Sequence, residues 1–293
     1  MVEFQGKNII IMCCSKCNVQ CSHCYIEYDG NLSHGELSGM IDNLSDKYNL
    51  SLNGSELLLN REYLSLFKKI NQDRVLTNGL ILHNNEKLLD DLKESGVLWV
   101  CMSYHFSLHN LISPIDKSIV LNNIKQLKQR GFNVEIMTTI SNINYKEVEV
   151  MVKEAIELDA DCIRFTNLFN EGKAVSLDSE YILTDSQIND FFDQFYMCKQ
   201  KYGDNILIRR SGTFSRDTRK KQSTYYCPII EETVAIAPNG KVYPCPFLIK
   251  SGYEIGKYEN GNVYLEEYYE NDSSVCMLHE ELNRGKSYVK KRY

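Results

Sequence analysis

The feature that most constrains the fold is a regular alternation of strand-like and helix-like segments, which runs to about residue 201. Short apolar runs predict strands at 8–13, 50–52, 74–76, 97–103, 133–140 and 162–166. Apolar residues at helical spacing predict helices near 36–47, 61–70, 84–94, 117–130, 145–158 and 185–201. Six consecutive βα units imply an α/β fold with a parallel sheet and right-handed crossovers.

Polar residues accompany the ends of these predicted strands, namely Asn78, Ser103, Ser141 and Asn142, and Arg164 lies inside the sixth strand. Because ligands bind at the carboxyl ends of parallel strands, all five are candidate cofactor-binding residues. Ser103 could instead be a strand-end hydroxyl that satisfies loop backbone. Arg164 would need an anionic partner if buried, and either a bound carboxylate or a structural Asp would serve.

Three cysteines, Cys17, Cys21 and Cys24, follow the first predicted strand in the spacing Cys-x3-Cys-x2-Cys. Thiolates on one short loop can hold three irons of a [4Fe-4S] cluster, which leaves the fourth iron free. A zinc site would favour paired Cys-x2-4-Cys ligands and a fourth donor, for which His23 is the neighbouring candidate. The triplet therefore indicates an iron-sulfur cluster with an open corner.

This spacing resembles that of the radical S-adenosylmethionine (radical SAM) enzymes. After the second predicted strand, Gly54, Ser55 and Glu56 resemble a variant of the family's Gly-Gly-Glu-Pro segment, in which Gly54 and Glu56 match while Ser55 and Leu57 depart. The resemblance implies a partial (β/α)6 barrel and SAM bound to the free iron. It further implies reductive cleavage of SAM to a 5'-deoxyadenosyl radical that abstracts hydrogen from a substrate.

A second group of cysteines begins near the predicted hairpin turn at Asn239-Gly240, where two alternating strands place Cys227 and Cys245 near the open end. Their spacing resembles the opening of the SPASM and Twitch extensions, which bind an auxiliary [4Fe-4S] cluster. The resemblance divides the chain into a barrel at 1–205 and a small C-terminal, β-hairpin-containing, Twitch-like domain at 206–293. A plain hairpin with two free thiols is the alternative.

The remaining ligands of this second cluster are open. Cys276 follows the hairpin, and the usual terminal Cys-x2-Cys stands here as Cys276 and His279. Either His279 is the fourth ligand, or one iron stays open, or the histidine has no ligand role.

Five further cysteines have no cluster assignment, namely Cys13, Cys14, Cys101, Cys162 and Cys198. Most such residues are small buried hydrophobes. In related enzymes that invert a stereocentre, a non-cluster cysteine donates a hydrogen atom to the substrate radical. These five are therefore the candidate catalytic hydrogen-atom donors.

The amino-acid composition limits the kinds of partner that we expect the protein to bind. The net charge of -6 and pI near 5.6 give no footprint for nucleic acid. Eleven cysteines without a signal peptide or a long apolar span predict a cytoplasmic protein without membrane contact. Basic runs at 209–210 and 219–221 are either solvated faces or docking sites for an acidic peptide or an acidic flavodoxin- or ferredoxin-type electron donor.

Three functions are compatible with these features. The first is modification of a ribosomally synthesised peptide, by epimerisation or a cross-link. The second is oxidation or epimerisation of an aminoglycoside or another small polyol. The third is a non-catalytic iron-sulfur scaffold or sensor, which the Gly54-Ser55-Glu56 segment disfavours. Because the barrel begins about eight residues after Met1, we expect a peptide to be held by the cavity, by the basic runs or by a separate recognition protein.

Overall fold

The structure is a computed structural model, which describes residues 1–177, 179–214, 228–266, 269–270 and 290–291. Cys227, Cys276 and His279, three of the predicted ligands of a second cluster, lie outside the described residues.

Five parallel strands form one sheet in the order of the chain. They are β4 (Arg74–Thr77), β5 (Trp99–Ser103), β6 (Asn133–Ile140), β7 (Cys162–Asn167) and β8 (Leu207–Arg210).

A second, seven-stranded sheet has the order β1-β12-β11-β10-β9-β2-β3 in the described part of the chain. Its strands are β1 (Val2–Glu3), β2 (Asn8–Met12), β3 (Asn49–Asn53), β9 (Thr233–Ile236), β10 (Lys241–Tyr243), β11 (Gly256–Glu259) and β12 (Asn262–Leu265). Two short strands, β13 (Tyr269–Glu270) and β14 (Lys290–Lys291), pair separately. The hairpin β9-β10 is therefore continuous with the barrel strands, because β9 runs parallel to β2.

A side chain joins the two sheets. Gln72 precedes β4, and its amide donates to the carbonyl oxygens of Leu52, at 3.0 Å, and Arg74, at 2.9 Å. Its amide oxygen accepts the backbone N–H of Leu52 at 2.7 Å. Gln72 thus supplies the hydrogen bonds that a strand ladder between β3 and β4 would supply, and it extends the curved arc from β9 to β8.

Helices cover the outer face of this arc. They are α1 (His34–Leu44), α2 (Leu64–Phe67), α3 (Glu86–Glu94), α4 (His109–Ile112), α5 (Lys117–Gln129), α6 (Val148–Glu157) and α7 (Asp185–Tyr202). Short 3-10 turns lie at Leu57–Leu59, Arg61–Tyr63, Lys68–Ile70, Leu80–Leu82, Phe106–Leu108, Gly172–Ser176, Ser179–Tyr181 and Pro246–Leu248.

Local sequence explains where the long helices begin. Ser33 and Glu36 form a capping box at the start of α1, and Thr184 and Gln187 form another at the start of α7. Helix α1 buries Leu37, Met40, Ile41 and Leu44, which lie at helical spacing and pack against the outward face of the barrel strands. The main core therefore lies between the strands and the helices and leaves the inner face of the arc for a site.

The α/β fold class predicted from the sequence is confirmed. All six predicted strands are present, and the segment 133–140 has the predicted bounds. One predicted helix differs, because residues 61–70 form two 3-10 turns around the four-residue helix α2. No helix in the described segments is long and apolar enough to cross a membrane.

Candidate active site

The loop that carries the three cysteines is closed at its base by hydrogen bonds. The N–H of Cys13 donates to the carbonyl oxygen of Asn53 at 2.6 Å, and the N–H of Leu32 donates back to Cys13 at 2.9 Å. The hydroxyl of Tyr28 donates to the carbonyl oxygen of Cys14 at 3.1 Å. Residues 14–31 therefore form a fixed excursion from the carboxyl end of β2.

All three cysteines of the motif line one cavity of about 280 Å³ at the carboxyl ends of the strands. Cys17 is exposed, and Cys21 and Cys24 are half-buried; all three are free thiols. No group of three or more His, Cys, Asp or Glu among the described residues is arranged to hold a single metal ion. In a [4Fe-4S] cube each cysteine binds a different iron, so its ligands need not converge on one point.

The protonation states of the Cys17 and Cys21 thiols are those expected of metal ligands in a metal-free site. Burial raises the pKa of the Cys21 thiol to about 11, with further increases from the neighbouring Cys24 and Cys17. Burial also raises the pKa of the Cys17 thiol. Without iron these two groups are therefore neutral at pH 7, and metal binding has to release their protons.

The Gly54-Ser55-Glu56 segment lies against the cysteine loop. The N–H of Ser55 donates to the carbonyl oxygen of Cys14 at 2.9 Å, and the N–H of Glu56 donates to that of Lys16 at 3.2 Å. Gly54 and Ser55 line the cavity. The Ser55 hydroxyl oxygen is buried without a hydrogen-bond partner among the described residues, which fits a polar ligand in the cavity.

Asn78 links the end of β4 to the cysteine loop. Its amide nitrogen donates to the Asn18 side chain at 2.8 Å and lies 3.6 Å from the Cys17 sulfur. Its amide oxygen accepts the N–H of Leu80 at 2.9 Å, which fixes the direction of the amide. Asn78 lines the cavity and is placed to stabilise a thiolate at Cys17.

Glu56 is fully buried and does not line the cavity. Its carboxylate accepts the hydroxyl of Thr77 at 2.8 Å and the N–H of Asn78 at 2.8 Å. Burial raises its pKa to about 7, although these two hydrogen bonds act in the opposite direction. The geometry therefore makes Glu56 a support for the turn that carries Asn78, behind the predicted SAM contacts.

We expect the stability of the protein to depend on pH through Glu56. The folded pKa of about 7 exceeds the ordinary 4.5, so the folded state holds more protons between these values. Stability must therefore fall as the pH rises through this range, by up to about 3 kcal/mol. Glu56→Gln should remove that fall. Urea unfolding of both proteins at pH 5 and pH 8 measures it, and equal pH dependence in the two would contradict the assignment.

The other polar residues predicted at strand ends divide into two groups. Ser103 lines the cavity. Ser141 and Asn142 do not line it, because the hydroxyl of Ser141 accepts the N–H of Ile143 and the side chain of Asn142 accepts a hydrogen bond from Gln187. These two residues stabilise the connection after β6 in this structure.

Arg164 has a structural partner, and it is a glutamate. Its Nε forms an ion pair with Glu135 on β6, which is fully buried. Arg74 on β4 contacts the other carboxylate oxygen of Glu135. The anionic partner that the sequence required for a buried Arg164 is therefore Glu135 on the neighbouring strand. This one carboxylate pairs with two guanidinium groups.

Several cavity residues escaped the sequence reasoning. His105 follows β5. Near the carboxyl ends of β6 and β7 lie Thr138, Thr139, Thr166 and Asn167. Thr138 and Asn167 have buried side-chain oxygens without a partner among the described residues. Only their position at the carboxyl ends of predicted strands could have indicated a role in the site, because the strands themselves are apolar or β-branched segments.

The C-terminal hairpin contributes to the same cavity. Phe247, two residues after Cys245, lines it and packs on Tyr25, with ring centroids 4.4 Å apart. Burial raises the pKa of the Tyr25 phenol, and the neighbouring thiols of Cys24 and Cys245 add to that effect. Cys245 is half-buried, and its thiol lies near Tyr25, the residue that follows the third cysteine of the motif.

The five cysteines without a cluster assignment are all buried. They lie in the core, at the base of the loop or low on the inner face of the sheet, and none of Cys13, Cys14, Cys101, Cys162 and Cys198 lines the cavity.

Solved structures provide the comparison for this geometry. Streptococcus suis SuiB bound to S-adenosylmethionine superposes with a TM-score of 0.68 at 14% identity, over 86% of this chain and 63% of SuiB. Native anSMEcpe with bound AdoMet and a peptide gives 0.63 at 20% identity, over 86% of this chain and 77% of that one. Escherichia coli coproporphyrinogen III oxidase (HemN), described as a radical SAM enzyme, gives 0.52 at 14% identity, over 69% and 54%.

The chain has the radical SAM fold. It spans less than two thirds of the length of SuiB. No protein-family model matches the chain, and no curated protein matches it significantly. The radical SAM assignment therefore depends on the fold together with the cysteines and the Gly54-Ser55-Glu56 segment that this fold brings to one place.

Proposed function

We propose that the protein is a radical SAM enzyme whose catalytic [4Fe-4S] cluster is held by Cys17, Cys21 and Cys24. The observation that carries the proposal is the single cavity that these cysteines share with Gly54 and Ser55. Three thiols account for three irons, and the unpartnered Ser55 oxygen provides a polar contact for a ligand beside them.

When bound, the cluster and SAM supply a 5'-deoxyadenosyl radical that abstracts hydrogen from a substrate C–H bond. The residues of the chain prepare the site for that chemistry. Asn78 donates toward the Cys17 sulfur, and Glu56 fixes the turn that carries Asn78. The aromatic group of Tyr25, Phe169 and Phe247 closes one side of the cavity and limits the entry of water.

For the substrate we propose a ribosomally synthesised peptide. Two structural neighbours support this class, because SuiB is known bound to its precursor peptide SuiA and anSMEcpe is known with a bound peptide. A small polyol or aminoglycoside is the alternative. Reductive cleavage of SAM needs an electron with either class of substrate. A flavodoxin- or ferredoxin-type protein is the proposed electron donor.

For the reaction we propose net oxidation of the substrate, as a cross-link or dehydrogenation. Epimerisation would need a thiol facing the cavity, and none of the five spare cysteines of the described chain lines it. An auxiliary cluster held by Cys245, with Cys227, Cys276 and His279 as further candidate ligands, would serve as the electron acceptor.

The experiment that tests this proposal is anaerobic turnover with SAM and dithionite, in water and in deuterated water. We expect 5'-deoxyadenosine to form, and a modified peptide to lose two hydrogens without solvent deuterium at carbon. An unchanged peptide mass with one non-exchangeable deuterium would instead establish epimerisation, because a donor thiol exchanges its proton with solvent. Absence of 5'-deoxyadenosine from the reconstituted protein would contradict the enzyme assignment itself.

A further inference from the structure

The inner face of the sheet carries more positive charge than its neighbours neutralise. Arg74 and Arg164 share one carboxylate, because Glu135 contacts Arg74 through Oε2 and Arg164 through Oε1. Glu135 is completely buried, and the side chains of Arg74 and Arg164 are 28% and 34% exposed. One negative charge thus balances two positive charges in a partly desolvated place.

The two arginines differ in how fully they are engaged. The guanidinium of Arg74 also donates to the Cys101 sulfur at 3.3 Å and lies over the Trp99 ring, 4.6 Å from its centroid. The Nε of Arg164 forms an ion pair with Glu135 but lacks the alignment of a hydrogen bond. Within the described part of the chain, neither of its two Nη groups donates a hydrogen bond.

A second arginine stands beside Arg164. Strands β7 and β8 are parallel, and Arg164 is the direct partner of Arg209. Directly paired residues point to the same face of a sheet, about 5 Å apart. Arg209 is exposed and forms no ion pair with any residue that the structure describes. The two arginines therefore start from neighbouring positions on the same face of the sheet.

This arginine pair continues a row that begins in the cavity. Ser103 on β5 pairs with Met137 on β6, and Met137 pairs with Arg164. Ser103 and Met137 line the cavity, as does Thr166, which is two residues after Arg164 on the same strand face. The row thus leads from the cavity across β7 to β8, which is the last strand of its sheet.

We propose that Arg164 and Arg209 bind a carboxylate of the substrate. Planar guanidinium groups bind carboxylates through paired N–H donors, and the free Nη groups of Arg164 supply such donors. The cysteine loop follows β2, which is five strands from β7 along the arc. Arg164 and Arg209 adjoin the cavity without lining it, so a carboxylate bound there would lie on the side away from the cluster ligands. The inference rests on the proposed enzymatic function for the meaning of "substrate".

Arginine footprinting of the reconstituted protein tests the site without turnover. The reagent is phenylglyoxal, the probe anion is glutarate at millimolar concentration, and modification is measured by peptide mass spectrometry. We expect glutarate to slow modification of Arg164 and Arg209 by about tenfold, the order of one charge-assisted hydrogen bond. Arg130, which is 31% exposed and ion-paired on the outer surface, is the matched internal control and should be unaffected.

Two comparisons make the result decisive. Glutaramide has the shape of glutarate without its charge, and it should not protect either residue. Arg209→Gln leaves the ion pairs of Glu135 intact and should abolish the protection of Arg164 by glutarate. Equal protection of Arg130, protection by glutaramide, or persistence of the effect in the variant would each overturn the proposal.

SAM itself carries a carboxylate, and the same assay separates the two sources. SAM alone should leave Arg164 and Arg209 reactive, and glutarate should still protect them in its presence. Full protection by SAM with no added effect of glutarate would assign the arginines to SAM and overturn the substrate assignment. Because the footprint needs no radical chemistry, its failure would leave the formation of 5'-deoxyadenosine untouched, and the two proposals can fail separately.

Discussion

The variant in which Cys17, Cys21 and Cys24 are all replaced by alanine is expected to form no 5'-deoxyadenosine. These thiols are the cysteines of the motif that line the cavity beside Gly54 and Ser55, and iron cannot be held there without them. The loss should be complete, because removal of the site eliminates the reaction. Chromatographic measurement of 5'-deoxyadenosine after anaerobic incubation with SAM and dithionite checks the result.

Iron content is the companion measurement. If a second cluster is present, the wild type should hold about eight irons and the triple variant about four, as two and one [4Fe-4S] clusters require. Cys198→Ala is the matched control, because this thiol is buried in the core and does not line the cavity. A triple variant that forms 5'-deoxyadenosine at the wild-type rate would contradict the assignment of the catalytic cluster.

Much of the barrel could be predicted because its signals are local. Each of the six strands is a short apolar run, and each long helix has an apolar face. Helices α1 and α7 also have their own capping residues, Ser33 and Thr184. The cysteine loop and the Gly54-Ser55-Glu56 segment are also continuous in sequence. Their proximity followed from the rule that loops at the carboxyl ends of parallel strands converge.

The features that the sequence could not provide depend on contacts between distant residues. Strand β9 pairs in parallel with β2 across more than 200 residues, and nothing in either strand specifies that partner. The joint between the sheets uses the side chain of Gln72, which reads as an ordinary loop residue. Phe247 reaches the cavity because it follows the hairpin β9-β10, whose position depends on the pairing of β9 with β2.

Arg164 shows which detail the sequence could not provide. Its charge within an apolar strand correctly indicated a need for an anion, but the partner on β6 depends on strand register. Asn142 shows the opposite case, because its position at a strand end suggested a ligand contact while its side chain is engaged by Gln187. Position along a strand predicts which residues can reach the site, and local hydrogen bonding decides which of them do.

Gly54→Ala is expected to abolish SAM binding or reduce it by at least about a hundredfold, the scale of a displaced binding segment. A Cβ atom at Gly54 would lie 2.6 Å from the Cys14 sulfur and 3.0 Å from the Cys14 carbonyl oxygen. The sulfur could rotate away, but the carbonyl oxygen accepts the N–H of Ser55 and belongs to the base of the cysteine loop. The added methyl group must therefore push the Gly54-Ser55-Glu56 segment away from that loop.

Gly39→Ala is the matched control for this change. Gly39 lies within helix α1, and a Cβ atom there would meet nothing within 4 Å. This variant should bind SAM as the wild type does and gain up to about 1 kcal/mol of stability, because alanine favours a helix over glycine. Isothermal titration of SAM into both reconstituted variants provides the comparison. Wild-type affinity in Gly54→Ala would show that the segment does not contact SAM, because the added methyl group must displace the segment.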